Sequence, residues 1–236
     1  MAYKARSYRS WTEGGDLAFF EVTERETDLA IYAEKNLESQ ARSVVMTCRE
    51  EIESYISRHR EFLTSLQPVA VHDGAPDIVV SMADAARRAG VGPMAAVAGA
   101  IAQSVGSALK ALSDEIIVEN GGDIYIRTSK NRVLGIYAGE NSPFTGKLSI
   151  KIGPCPEGLG VCTSSGTVSH SLSFGKSDAV VIISENTSLA DAAATAVGNV
   201  LKTPDDIRRS IDFARSIDGV SGALVMKGIR WGAGGR

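Results

Sequence analysis

The sequence is poor in the residues that usually announce a chemistry. Aromatics make up 6% of its 236 residues, and it has three histidines and three cysteines. Three histidines (His59, His72 and His170) argue against a histidine-rich metal centre. Three cysteines (Cys48, Cys155 and Cys162) cannot all pair within one chain, and no Cys-x-x-Cys spacing frames a zinc site, so neither a disulfide framework nor a zinc ribbon fits. Charge of one sign is also missing. The net value of −3 gives no general attraction to nucleic acid or to an anionic membrane. Residues 93–109 are the most apolar run, but they are largely Ala and Gly, include Gln103 and stop at Lys110. That reads as a buried helix, since a membrane span needs about 20 strongly apolar residues. Lys4, Arg6 and Arg9 are followed by Ser10-Trp11-Thr12-Glu13 and not by the apolar core of a signal peptide. The expectation is a cytoplasmic protein with no nucleic-acid or membrane partner.

Familiar catalytic motifs are missing too. There is no GxGxxG, GxSxG or HExxH. Gly175-Lys176-Ser177 resembles the end of a phosphate loop, but His170 stands where that loop needs glycine. What the chain does have is 24 glycines and much alanine, on a 44% apolar background that supports a packed core. Small residues permit close approach of one backbone to another.

Hydrophobic alternation predicts a hairpin from residues 17–22 and 28–33 around a turn at 23–27. Asn36 is placed to cap a helix running through Val44, Val45, Ile52 and Ile56 toward Phe62. A helix over 78–89 closes at Gly90, and Gly92-Pro93 starts another. Strands are expected at 115–119, 123–127 and 132–138. The second half follows with strands at 148–152, 160–162 and 179–184, helices at 188–201 and 205–215, a strand at 220–226 and a loose tail at 232–236. Strands, two helices and strands thus occur twice. This predicts an α+β fold with antiparallel sheets, as one domain over 1–236 with similar halves at about 15–127 and 132–231.

Four constellations carry chemistry, each with a plainer alternative. Asn120-Gly121-Gly122-Asp123 is a hairpin turn, or a turn whose glycine N–H groups and Asp123 line a ligand. Asp191 and Thr195 share one helix face; they are hard-cation ligands, or Asp191 completes a capping box begun by Ser188. Gly92 and Met94 open a small-residue helix whose N-terminus receives a phosphate, or simply packs closely. The run Cys162-Thr163-Ser164-Ser165-Gly166-Thr167-Val168-Ser169-His170 holds a reactive Cys162 activated by His170, or a buried thiol beside a hydroxyl-rich turn.

In order, Asn120-Gly121-Gly122-Asp123, the Thr163-Ser164-Ser165-Gly166 element and Asp191-Ala-Ala-Ala-Thr195 resemble the ApbE-like superfamily, whose best-known members are FAD:protein FMN transferases. The fuller resemblance is to a cytoplasmic branch with the Gly-Pro-Met-Ala-Ala-Val-Ala-Gly, Cys-Thr-Ser-Ser-Gly-Thr and Ala-Asp-Ala-Ala-Ala-Thr-Ala elements seen here. The resemblance implies tandem T-fold-like modules with a ligand cleft between the halves. It also implies magnesium on Asp191 and Thr195 beside a flavin nucleotide or other small phosphorylated ligand. Asn120, Gly121, Gly122, Asp123, Gly92, Met94, Thr163, Ser164 and Ser165 would line that cleft. Transferases carry Asp-Leu-Gly-Gly-Ile-Ala-Lys-Gly where this chain reads Gly92-Pro-Met-Ala-Ala-Val-Ala-Gly99-Ala100, which argues against FMN transfer. The branch is further linked to sulfide assimilation and homocysteine formation, which implies an alternative. Cys162 would carry a persulfide, with His170 as its catalytic partner, and would hand sulfur to another protein. A third alternative is a non-catalytic module on an enzyme fold. Free sheet edges leave room for a homo-oligomer.

Overall fold

The computed structural model describes residues 15–138, 142–164 and 179–235. Strands β1 (Ala18–Glu24) and β2 (Thr27–Ala33) form the expected hairpin, with Ala18 opposite Ala33 and Glu24 opposite Thr27. Asn36 accepts the N–H of Glu38 at 2.9 Å and starts α1 (Glu38–Arg58). That helix does not run on to Phe62. It breaks at His59, whose ring stacks on Tyr55 with centroids 4.4 Å apart, and α2 (Arg60–Thr64) then carries Phe62 fully into the core. Helix α3 (Asp77–Ala89) ends on Gly90 at φ 73°, the left-handed stop that glycine makes cheap. A 3-10 turn at Pro93–Ala96 leads into α4 (Val97–Leu109).

The chain then forms β3 (Ile116–Asn120) and β4 (Asp123–Thr128), followed by the short pair β5 (Arg132–Gly135) and β6 (Ser149–Ile152). The remaining elements are β7 (Cys155–Ser164), β8 (Ala179–Ser184), α5 (Thr187–Val200), α6 (Ile207–Ser216), β9 (Val220–Lys227) and β10 (Arg230–Gly235). Eight strands make one antiparallel sheet in the order β1-β2-β3-β4-β7-β8-β9-β10, so the fold is α+β. Two strands, helices and two strands build the first four positions of that sheet. The same sequence of elements builds the last four, and β4 joins β7 between them.

Alternation divides each strand between two layers. Leu29, Ile31, Val118, Tyr125, Cys162, Ile182 and Val225 lie with residues of α1, α3, α4 and α5 in the larger core. Ile117, Ile126, Val161, Val181 and Met226 form a second core on the opposite face, roofed by Leu134, Ile136 and Ile152 of the β5–β6 excursion. Fully burying an aliphatic side chain such as Leu29 or Ile182 stabilises by about 1.5–3 kcal/mol.

The tail departs from the sequence reading. Residues 230–235 pair along β9 as a regular edge strand. A side chain at Gly232 would come within 2.9 Å of Ile207 and Ile211, and one at Gly234 within 2.6 Å of Ile211. Those glycines let the strand lie against α6. Among the described residues, no single helix is long and apolar enough to cross a membrane.

Candidate functional site

The site starts at the β3–β4 turn. Asn120 and Asp123 close the ladder, and Gly121 and Gly122 between them sit at φ 68° and 104°. Two successive positive φ values match the right-handed twist of a two-residue hairpin and are cheap only for residues such as glycine. The Gly122 N–H donates to Glu119 Oε1 at 2.8 Å, which ties the turn to its own strand.

Register does the next step. Asn120, Asp123, Cys162 and Ile182 stand side by side across β3, β4, β7 and β8, on the face that carries the helices. Asn120 Nδ2 donates to the Ala98 carbonyl of α4 at 3.1 Å. Asn120 and Asp123 retain 8% and 7% exposure, and Cys162 none.

Helix α5 supplies the other wall. Its cap is Asn186, whose side chain accepts the Leu189 N–H at 2.8 Å. The alternative reading of a capping box between Ser188 and Asp191 is therefore not realised. The Ser188 hydroxyl instead meets that of Ser81 at 2.9 Å. Asp191 reaches across to α4, where the Gly99 N–H donates to its Oδ2 at 2.9 Å. A carboxylate at a helix N-terminus is favoured by the orphan N–H groups and by the dipole. The two helices meet here without side-chain padding. A Cβ on Gly99 would lie 2.4 Å from the Thr187 carbonyl oxygen and 2.8 Å from Asp191 Cβ. Thr187, Asp191 and Thr195 follow at i, i+4 and i+8 along one stripe of α5, and Thr195 is 7% exposed.

The electrostatics are those of two acids within reach of each other's charge. Burial pushes Asp123 well above the ordinary carboxylate range, and the charges of Asp191 and then Glu119 push the same way, against contacts from the Cys162 thiol and the Thr163 N–H that favour the carboxylate. Burial lifts Asp191 to about 7, opposed by the Gly99 and Ala98 N–H groups. No cationic side chain stands among the main influences on either acid. Asp123 Oδ1 and Thr187 Oγ1 are buried with no hydrogen-bond partner among the described residues. Among those residues, no three His, Cys, Asp or Glu side chains gather closely enough to hold a metal by themselves.

The other expected site residues fare differently. The Cys162 thiol donates to the Thr187 carbonyl at 3.4 Å. Burial raises it well above the usual thiol range, and the Asp123 and Asp191 charges add to that. Activation needs access and donors or cations that favour the thiolate, so these surroundings oppose the reactive thiol expected from sequence. His170 and Ser165 lie outside the described residues. Thr163 and Ser164 belong to the end of β7, and the Thr163 N–H donates to the Gly122 carbonyl at 3.2 Å. Gly92 is a packing position, because a Cβ there would lie 1.9 Å from the Ser65 carbonyl oxygen. Met94 packs half-buried against the core. An open hollow of about 520 Å³ beside Ile207, Ile229 and Trp231 borders none of these residues. Thr187 escaped the sequence reading, although its place four residues before Asp191 was a usable signal.

Comparison with known proteins places the chain. Residues 9–221 match the family described as AbpE bacteria. The chain is 41% identical over 222 residues to a UPF0280 protein of Methanopyrus kandleri, covering 91% of this chain and 89% of that one. It is 45% identical over 211 residues to a UPF0280 protein of Methanospirillum hungatei, covering 88% and 85%. Among solved structures, the flavin transferase ApbE from Vibrio cholerae aligns with a TM-score of 0.61 at 15% identity, covering 95% of this chain and 97% of that one. The apo flavinyl transferase ApbE of Pseudomonas stutzeri aligns at 0.57 and 13%, covering 93% and 94%. At such identities the likeness speaks for the fold alone. With its match running through both halves of the sheet, the chain belongs to the AbpE bacteria family and carries an ApbE-like α+β fold.

Proposed function

We propose that the protein binds a divalent cation together with a flavin-like or other phosphorylated ligand where the β3–β4 turn meets α4 and α5. One observation carries this reading. Two interacting carboxyls, the buried Asp123 and the half-buried Asp191, have no cationic side chain among their main influences, and Asp123 Oδ1 has no hydrogen-bond partner among the described residues. Uncompensated buried acids are costly, and a bound cation removes that cost.

The donor set fits such an ion. Asp191 and Thr195 offer hard oxygens on one helix face, the chemistry that magnesium and calcium select. Magnesium in particular takes one or two carboxylates and completes its shell with water and phosphate oxygens, which suits a site lacking three clustered protein ligands. When bound, the cation would neutralise phosphate charge and polarise a phosphoryl oxygen.

The chain's own part is positioning. The Gly99 N–H fixes the rotamer of Asp191 by holding Oδ2. The Asn120 amide pins the Ala98 carbonyl and so sets the first turn of α4 against the sheet. The glycine turn keeps side chains away from the mouth of the site, and Gly121 is exposed there. Because Gly92–Ala100 lacks the acidic and lysine residues of the transferase pattern, the proposal is ligand binding and not FMN transfer.

The test is a melting-temperature titration with FAD, FMN and ADP, each with and without Mg²⁺. A cation-dependent rise in the native chain that disappears in Asp191→Asn supports the reading. No rise under any condition, or an equal rise in the variant, overturns it. Persulfide mapping after treatment with sulfide and a sulfur donor tests the alternative; unmodified Cys162 sinks the sulfur-carrier idea.

A further inference from the structure

We propose that Asp123 is itself a cation ligand, so that the ion is held between β4 of the first half of the sheet and α5 of the second. This rests on the cation-binding reading of the site and names a residue the Asp-x-x-x-Thr spacing does not contain.

One carboxylate oxygen at the site is unpartnered among the described residues. Asp123 is 7% exposed, yet its Oδ1 makes no hydrogen bond among the described residues. A buried carboxylate oxygen is a strong acceptor, and leaving one unmet is expensive, so native proteins keep such an atom only where water, an ion or a ligand completes it. A second unmet oxygen belongs to the same helix–sheet contact, two residues from Cys162 along β7, where Thr187 Oγ1 packs against Gly160. Thr187 Oγ1 is fully buried without a partner, on the residue whose carbonyl accepts from the Cys162 thiol. Cys162 is the direct strand neighbour of Asp123. Two orphaned oxygens therefore lie in the layer between the sheet and the first turn of α5. Asp191 stands one turn further along that helix, close enough for its charge to act on Asp123.

The two acids have different duties. Asp191 has committed Oδ2 to the Gly99 N–H and keeps partial contact with solvent. Asp123 sits deeper with a free oxygen. Hard oxygen donors of this kind select magnesium, manganese or calcium over thiolate-preferring metals. The neighbouring thiol is fully buried and turned to the Thr187 carbonyl.

The probe is Mn²⁺, followed by electron paramagnetic resonance of the free ion during titration of the full-length chain. The native chain should bind one ion, Asp191→Asn should lose it, and Asp123→Asn should bind at least tenfold more weakly. A metal-free melting temperature at or above the native value would show that Asp123→Asn is folded, since it removes one of two mutually repelling acids. Should that variant not fold, crystals of the native chain soaked in MnCl₂ decide the matter by anomalous density within about 2.5 Å of Asp123 Oδ1. Native affinity in Asp123→Asn, or anomalous density at Asp191 and none at Asp123, overturns the inference and leaves the reading of the site standing. A native chain that binds no Mn²⁺, or an Asp191→Asn variant that binds it as well as native, overturns both.

Discussion

The molecule buries acid in two places and treats them in opposite ways. At the lower end of β3, the Glu115 carboxylate receives the Arg132 guanidinium at 2.8 Å, the Thr128 hydroxyl at 2.6 Å and the Ser129 N–H at 2.8 Å. Arg132 also pairs with Asp16, so the cluster joins the chain before β1 to β3 and β5. Burial alone would raise Glu115, but the bonds from Ser129, Thr128 and Arg132 outweigh it and hold the group at about 2. At the other end of the same hairpin, Asp123 and Asp191 are pushed upward, and one of their oxygens has no partner. Solvent exposure is similar at Glu115 and Asp123, at 4% and 7%, so exposure alone does not separate the two centres. What separates them is whether the fold completes the shell. Where it does, the acid is a staple; where it does not, a carboxyl oxygen is left unmet.

The largest effect should come from opening the completed centre. Arg132→Met leaves Glu115 buried without its cation, and stability should fall by about 3–5 kcal/mol in urea titrations. A loss below about 1 kcal/mol would erase the contrast between the two centres. Acid sharpens the same point. The folded value for Glu115 lies below its unfolded value of 4.5, so its contribution is complete above pH 4.5 and is lost as pH falls toward 2. Melting temperature followed between pH 6 and pH 3 should drop less steeply in Arg132→Met than in the native chain. A smaller break at the same centre is Thr128→Val. It removes the 2.6 Å bond to a charged oxygen and should cost about 1.5–3 kcal/mol.

At the incomplete centre, geometry is more fragile than charge. Gly99→Ala pushes a methyl group into the Thr187 carbonyl and Asp191 Cβ, both of them backbone or near-backbone atoms that yield little. The expected cost is about 1–3 kcal/mol, with loss of the cation-dependent rise in melting temperature because Asp191 can no longer reach the Gly99 N–H. Retention of that rise would mean that the cross-helix bond does not position the acid.

Much of this was legible along the chain. Local rules reach what is local. The Asn-Gly-Gly-Asp turn, the glycine stop of α3, and the shared face of Asp191 and Thr195 all depend on neighbours within a few residues. The bond that Asp191 accepts from α4 spans 92 positions in sequence, so capping rules applied to α5 alone could offer only a local box with Ser188 as the alternative to a cation site. The thiol of Cys162 was open to a reactive reading because its hydroxyl-rich surroundings are polar in sequence, whereas β7 alternation turns the sulfur inward against two acids. The glycine tail looked loose for a similar reason, since propensity does not register a partner helix that only glycine can approach.

The gentlest test uses one substitution at both centres and asks for opposite signs. Thr187→Val removes a hydroxyl that is buried and unpartnered, whereas Thr128→Val removes one that is buried and bonded. Without cation, the first should leave stability unchanged or raise it by up to about 1 kcal/mol, because an unmet hydroxyl is paid for in desolvation and returns nothing. The second lowers stability, because it removes a bond to the Glu115 carboxylate. If the Thr187 hydroxyl belongs to the cation shell, the small gain should turn into a loss once Mg²⁺ is present, and the crossing of the two melting curves is the measurement. A loss for Thr187→Val in the absence of cation would mean that its oxygen is already satisfied by bound water. The two centres would then differ less in completeness than in the kind of partner each one holds.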